Sequence, residues 1–224
     1  MATAIRLTQA PLEVDPSSAV FAGTGPFGRS VARLLARTTG GRDLTADLPP
    51  DGDPCAAFDS APSAVVLALW RPAPALCERV DERSHATGIP WLSVVLEPST
   101  LQVGPLVVPG AGPCHRCLEE RRTQHDRHWP ETAALHAAYD RDPRCGPRGH
   151  LPQHVTTAAG LAATVLSRPR DHVGQVLTAR LRGVSVRRDR LLACHGCARC
   201  GQPLPDRDLR VLLRLNTKED AGVQ

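Results

Sequence analysis

Two short cysteine hooks, about eighty residues apart, constrain this 224-residue chain more than any other feature. The first is Cys114-His115-Arg116-Cys117, and the second is Cys194-His195-Gly196-Cys197-Ala198-Arg199-Cys200. Two cysteines with two residues between them can chelate one tetrahedral ion, and two such pairs close an S4 site. Cys194/Cys197 and Cys197/Cys200 share that spacing, so the second hook offers a choice. Cys197 and Cys200 are favoured because Gly201 comes directly after and lets the knuckle turn tightly around the ion. The expected ligands are therefore Cys114, Cys117, Cys197 and Cys200 around zinc, with Cys194 a spare or exchanging ligand. Four thiolates leave no open position for substrate, so the site is read as a structural pin between the two ends of a domain. His115 and His195 are read as solvent-facing residues of the knuckles.

Length suits one full α/β domain, or a domain with a small appendage. Eight cysteines in so long a chain, unevenly clustered, do not read as a disulfide framework. The start lacks the apolar stretch of a signal peptide, and no run approaches a membrane span; the expectation is a cytoplasmic protein with no membrane partner. The formal charge of +4 is too weak and scattered for a nucleic-acid footprint, and 3% aromatics leave few platforms for stacked bases.

Along the chain, residues 1–17 read as an N-terminal arm, 18–201 as the main domain and 202–224 as a tail that could hold a strand at 209–215. Ser18 to Ala22 is a short apolar run ending in Gly23-Thr24-Gly25-Pro26-Phe27-Gly28, after which Val31, Leu34 and Leu35 fall at helical spacing. Strand, glycine turn and helix in that order open a Rossmann-like unit. A second strand is placed at 43–48 and a buried parallel strand at 64–69. A helix is expected over 74–87 with Leu76, Val80 and Arg83 on one side, then a strand at 91–96. Val103 to Val108 reads as a strand that Pro105 assigns to an edge or a bend. Residues 118–150 form a helical and loop insert, with loop from 140. The apolar stripe Val155, Ala159, Ala162 and Leu166 marks a helix, in which Gly160 is expected to allow close packing on the sheet. A β-hairpin over 174–192 comes after it.

This order of parts resembles the E1-like superfamily of ThiF and MoeB type adenylating proteins. The closer likeness is to the cyclodehydratase domains and leader-peptide-binding partners of YcaO enzymes, which make thiazole- and oxazole-modified peptides. Gly104 to Gly110, leading into Pro113-Cys114-His115-Arg116-Cys117-Leu118 and on through Arg122 to Pro130, carries it. The resemblance implies a Rossmann-like, E1-type three-layer α/β domain with a mostly parallel sheet, and a homodimer paired through a sheet edge and adjacent helices. It also implies work on a ribosomally made precursor peptide beside a YcaO-type or other tailoring enzyme. An active member places an aspartate at the end of the strand before the crossover helix, where it helps hold magnesium and ATP. Here the matching stretch is Leu67-Ala68-Leu69-Trp70-Arg71-Pro72, and no acidic residue but Asp47 ends the second strand. The function expected is thus a non-catalytic, peptide-presenting scaffold in which Gly23, Gly25, Gly28 and Arg29 form a vestigial nucleotide loop and ATP is not bound. The alternatives are an ATP-dependent adenylating enzyme and an NAD-dependent oxidoreductase. Many relatives carry a preceding leader-binding domain of roughly eighty residues; about seventeen precede the first strand here, so that domain is expected to be absent.

Arginines crowd the insert, with Trp129 and Tyr139 its only aromatics. Arginine with sparse aromatics is the composition of an interface anchor. Arg121, Arg122 and Trp129 are accordingly expected to line a groove for a peptide or partner, and leader peptides of the resembling pathways are commonly acidic. Cys145 is read as a bystander in a loop.

Overall fold

The computed structural model describes residues 12–46, 53–142, 144–147, 149–183 and 185–201. The N-terminal part of the arm, Asp47, Arg148 and the expected strand at 209–215 lie outside the described residues. Chain order runs β1 (Val20–Thr24), α1 (Gly25–Thr39), β2 (Arg42–Asp43), β3 (Val65–Leu69), α2 (Pro74–Thr87), β4 (Trp91–Leu96), β5 (Thr100–Val107), α3 (His115–His125), α4 (Trp129–Arg141), α5 (Pro152–Ser167), the short α6 (Pro169–His172), β6 (Gln175–Arg180) and β7 (Val186–Arg190).

The strands form one seven-stranded sheet in the order β2-β1-β3-β4-β5-β6-β7. The pairings from β2 through β4 are parallel, and those from β4 through β7 are antiparallel. The expected mostly parallel sheet is therefore a mixed one. Crossovers through α1 and α2 set the parallel half; the short Glu97–Ser99 link and the β6–β7 hairpin permit only antiparallel neighbours in the other.

Side chains alternate across the strands, so each strand feeds two cores. Phe21, Val66, Ala68, Leu92, Val94 and Val103 pack on one face with Val31 and Leu35 of α1 and Ala158, Ala162 and Leu166 of α5. Val20, Leu67, Leu69, Trp91 and Val107 pack on the other with Cys77 and Val80 of α2 and Leu118 of α3. Fully burying one such Leu, Val or Phe side chain stabilises by roughly 1.5–3 kcal/mol. Helical layers thus cover both faces.

Several expectations need correction. The second strand spans only Arg42–Asp43 and passes into a 3-10 turn at Leu44–Ala46. β5 is central, flanked by β4 and β6; Pro105 is accommodated where the β4–β5 register shifts, a bend and not an edge. The buried face of α2 is Cys77, Val80, Asp81 and Ser84, so a carboxylate stands where Arg83 was expected. Gly160 faces open space instead of the sheet. The insert holds two helices, and α4 runs to Arg141 before the loop begins.

Candidate functional site

The two hooks meet. Sγ atoms of Cys114, Cys117, Cys197 and Cys200 all lie within 4.8 Å of one another. Cys114 is 3.8 Å from Cys117 and 3.6 Å from Cys197, and Cys117 is 3.5 Å from Cys200. A tetrahedral ion with metal–sulfur bonds of about 2.3 Å needs sulfurs roughly 3.8 Å apart, so the spacing fits a four-thiolate metal site. Local structure accounts for the grouping. Cys114 is the N-cap of α3, which sets Cys114 and Cys117 across its first turn at the positive end of the helix dipole. On the second hook Gly201 takes a φ of 45° and donates its N–H to the Cys197 carbonyl, closing the knuckle. Cys194 stays outside the cluster: its N–H donates to the Cys117 sulfur at 3.3 Å. It therefore supports a ligand by a hydrogen bond instead of acting as one.

Burial pushes the thiols of Cys114 and Cys117 up, and raises Cys200 to about 11. For Cys197 burial also pulls upward, but the N–H groups of Cys200 and Arg199 outweigh it and bring the thiol to about 7. A bound cation would have to displace the remaining protons, so metal affinity should fall as pH falls.

Beneath the hooks is a polar network that spacing alone did not reveal. Asp81 is fully buried and accepts from Trp91 Nε1 at 3.1 Å and from the His115 N–H at 3.2 Å. Burial holds its carboxyl above the ordinary range, against the pull of those two bonds. Arg199 approaches Asp81 at 3.6 Å and Glu78 at 2.7 Å, and Arg116 also pairs with Glu78. One glutamate on α2 thus receives a guanidinium from each hook. His115 is buried against Trp91, with ring centroids 5.5 Å apart, and is not solvent-facing as expected; His195 is exposed. Burial, helped by the Arg122 guanidinium, pushes His115 down to about 3. The cue was available in part: Asp81 falls at helical spacing with Cys77 and Ser84, but a lone carboxylate on an apolar face reads as exposed until its partners are known. Asp81→Ala should orphan two buried donors and lower stability by about 3 kcal/mol, whereas Asp81→Asn, which keeps an acceptor, should lose less than half of that. Urea unfolding of the two variants side by side would check this; equal losses would show that the carboxamide does not replace the acceptor.

The glycine turn lies at the second place of interest. β1 sits between β2 and β3, so the chain reverses its direction of travel across the sheet between β1 and β3. Ligands of open α/β sheets bind at such a switch point, beyond the carboxyl ends of the strands. A cleft of about 610 Å3 occupies this position. Thr24, Gly25 and Arg29 border it on one side, and Trp70, Arg71, Arg79 and Arg144 on the others. Arg29 has no ion-pair partner among the described residues. Arg71 is buried between the Trp70 and Tyr139 rings and donates to the carbonyl of Tyr139 at 2.7 Å, tying α4 to the end of β3. Desolvation lowers its pKa. Asp43, not Asp47, ends β2, and it accepts from the Thr45 N–H at 2.9 Å. The expectation that Asp47 is the one carboxylate at this strand end is therefore corrected, and it failed because the strand is shorter than its apolar pattern suggested. The third strand does end without one, in Trp70 and Arg71.

Arg121, Arg122 and Trp129 do not converge. Arg122 turns toward the sheet and pairs with Glu97 at 3.1 Å, with Gln102, and with Glu119 at 3.4 Å. Arg121 bonds Gln124 at 3.3 Å, and Trp129 stands on the first turn of α4 in a groove with acidic residues.

Comparison with known proteins supports the architecture. No protein-family model matches the sequence, and no curated protein matches it. Among solved structures, the chain is similar to a heterocyclase determined in complex with substrate and cofactor (TM-score 0.60, 17% identity, 85% of this chain and 26% of that one). It is also similar to the heterocyclase TruD (TM-score 0.58, 20% identity, 88% and 31%). A third is E. coli MccB determined with AMPCPP and MccA (TM-score 0.54, 13% identity, 84% and 67%). At these identities the likeness is one of fold. The chain spans about a third or less of the heterocyclases it matches. No helix among the described residues is long and apolar enough to cross a membrane.

Proposed function

We propose that this chain is the E1-like unit of a system that modifies a ribosomally made peptide, and that it binds a nucleotide at the switch-point cleft. The ATP-dependent adenylating reading draws more support than the scaffold reading. Among the structures sharing the fold, one was determined with AMPCPP and another with substrate and cofactor. The observation in this chain that carries the reading is the cleft itself, at the glycine turn, with Arg29, Arg79 and Arg144 on its border. A triphosphate needs fixed positive charge or magnesium to offset its own, and the N-terminus of α1 adds unpaired N–H donors. Asp43 ends the strand whose acidic residue binds ribose in dinucleotide folds. The metal site, with zinc as the ion best suited to four thiolates, would hold the C-terminal part of the domain in place and take no part in chemistry.

The scaffold reading keeps one specific support, because Trp70 and Arg71 stand where magnesium would need a carboxylate. Calorimetric titration separates the two. ATP with magnesium should bind, and Arg29→Ala should weaken binding roughly tenfold by removing a charge-assisted contact. No heat with ATP–magnesium at millimolar concentration would return the chain to the scaffold reading; tight binding of NAD instead would favour an oxidoreductase.

A further inference from the structure

Taking the chain to handle a peptide, as proposed above, we infer that the groove between α2, α3 and α4 holds a basic side chain of that peptide. The groove encloses about 460 Å3, and its charge is opposite to that expected from the arginine count of the insert. Of its carboxylates, Glu78 is engaged by Arg116 and Arg199, and Glu119 by Arg122. Glu120 and Asp140 have no hydrogen-bond or ion-pair partner among the described residues. Exposed carboxylates alone would mark nothing, but the groove has a second feature. His115 lines it at 4% exposure, and neither of its ring nitrogens has a hydrogen-bond partner. The nearest carboxylate oxygen, on Glu119, is 3.6 Å from Nε2, beyond hydrogen-bond reach.

A buried polar group without a partner costs about 1–3 kcal/mol, so a ligand that bonds His115 would recover what the empty groove gives up. A neutral imidazole presents one lone pair and one N–H in either tautomer, and the lone pair accepts from a cationic N–H. Trp129, half-buried on the opposite wall, offers an indole face to the same group. An acceptor, two unpaired carboxylates and an indole together suit a guanidinium or ammonium, while an acidic segment would meet like charge.

The test uses the full chain and two labelled dodecapeptides of alanine, serine and leucine that differ only in a central arginine or glutamate. Fluorescence anisotropy should show the arginine peptide bound about tenfold more tightly than the glutamate peptide. Glu120→Gln combined with Trp129→Ala should remove that preference while leaving circular dichroism and metal content unchanged. If the double variant misfolds, Glu120→Gln alone, at an exposed position, should still weaken the arginine peptide about threefold. Equal binding of the two peptides, or a preference that survives in the variants, overturns the inference. So does arginine-peptide binding that appears only once residues 202–224 are removed, which would give the groove to the chain's own C-terminal segment. The outcomes separate from the nucleotide reading: a chain that binds ATP–magnesium but not the arginine peptide loses the groove alone, and the reverse result loses adenylation alone.

Discussion

A Cys117→Ser variant is expected to lose its metal and to melt on the order of 10 °C below the unaltered chain. Cys117 is fully buried, and its sulfur faces three partners: Cys114, Cys200 and the Cys194 N–H. A serine hydroxyl is a harder, weaker donor than thiolate for such an ion. The consequence extends beyond one bond, into the whole segment after β7. The second hook meets the rest of the domain through Arg199 on Glu78 and Asp81, Cys194 on Cys117, and the metal-binding sulfurs. Without the ion, those sulfurs keep only weak contacts, and the free energy of metal binding, which is folding free energy here, is lost. Native mass spectrometry gives metal content, and a melt with and without chelator gives the stability. If the unaltered chain has a metal-free mass and an unchanged melt in chelator, the structural metal is refuted.

Gly28→Ala is expected to destabilise by about 3 kcal/mol or more, a fall of roughly 10 °C for a chain of this size. A β-carbon at position 28 would lie 2.2 Å from the Ala68 carbonyl oxygen, which belongs to β3 and cannot swing aside. The first turn of α1 packs directly on β3 at this point, and only hydrogen fits between. The effect is one of packing, so it should appear with no nucleotide present. Gly88→Ala makes a useful contrast, since that position has nothing within 4 Å of an added β-carbon and is limited only by its φ of 73°. Alanine there should cost about 1 kcal/mol. Similar melts for the two variants would mean that the α1–β3 contact is looser than described.

Local pattern alone went a long way. Strand, glycine turn and helix at Val20–Thr39, the α2 boundaries with Pro74 at the start and Gly88 after the end, the α5 stripe and the hairpin turning near Gly183 were all legible. Each depends on interactions within one element or one turn, so residue spacing carries the information. The cysteine hooks were legible for the same reason, since a chelate of two residues is a local geometry. Between the two candidate pairs of the second hook, only the left-handed turn at Gly201 leaned one way, and assembly with α3 decided it.

The tertiary structure decided everything that depends on which elements become neighbours. Whether Pro105 sat at an edge or a bend turned on β6 pairing with the first half of β5. The roles of Asp81 and His115 turned on the packing of α2 and α3 over Trp91, which removes both from water and makes partners of residues far apart in sequence. Arginine composition pointed to one basic groove, but Arg122 turned inward to Glu97 and Gln102, while Arg71 closed onto Tyr139. A side chain's charge is written in the sequence; the dielectric around it and the partner it meets exist only once the layers have packed.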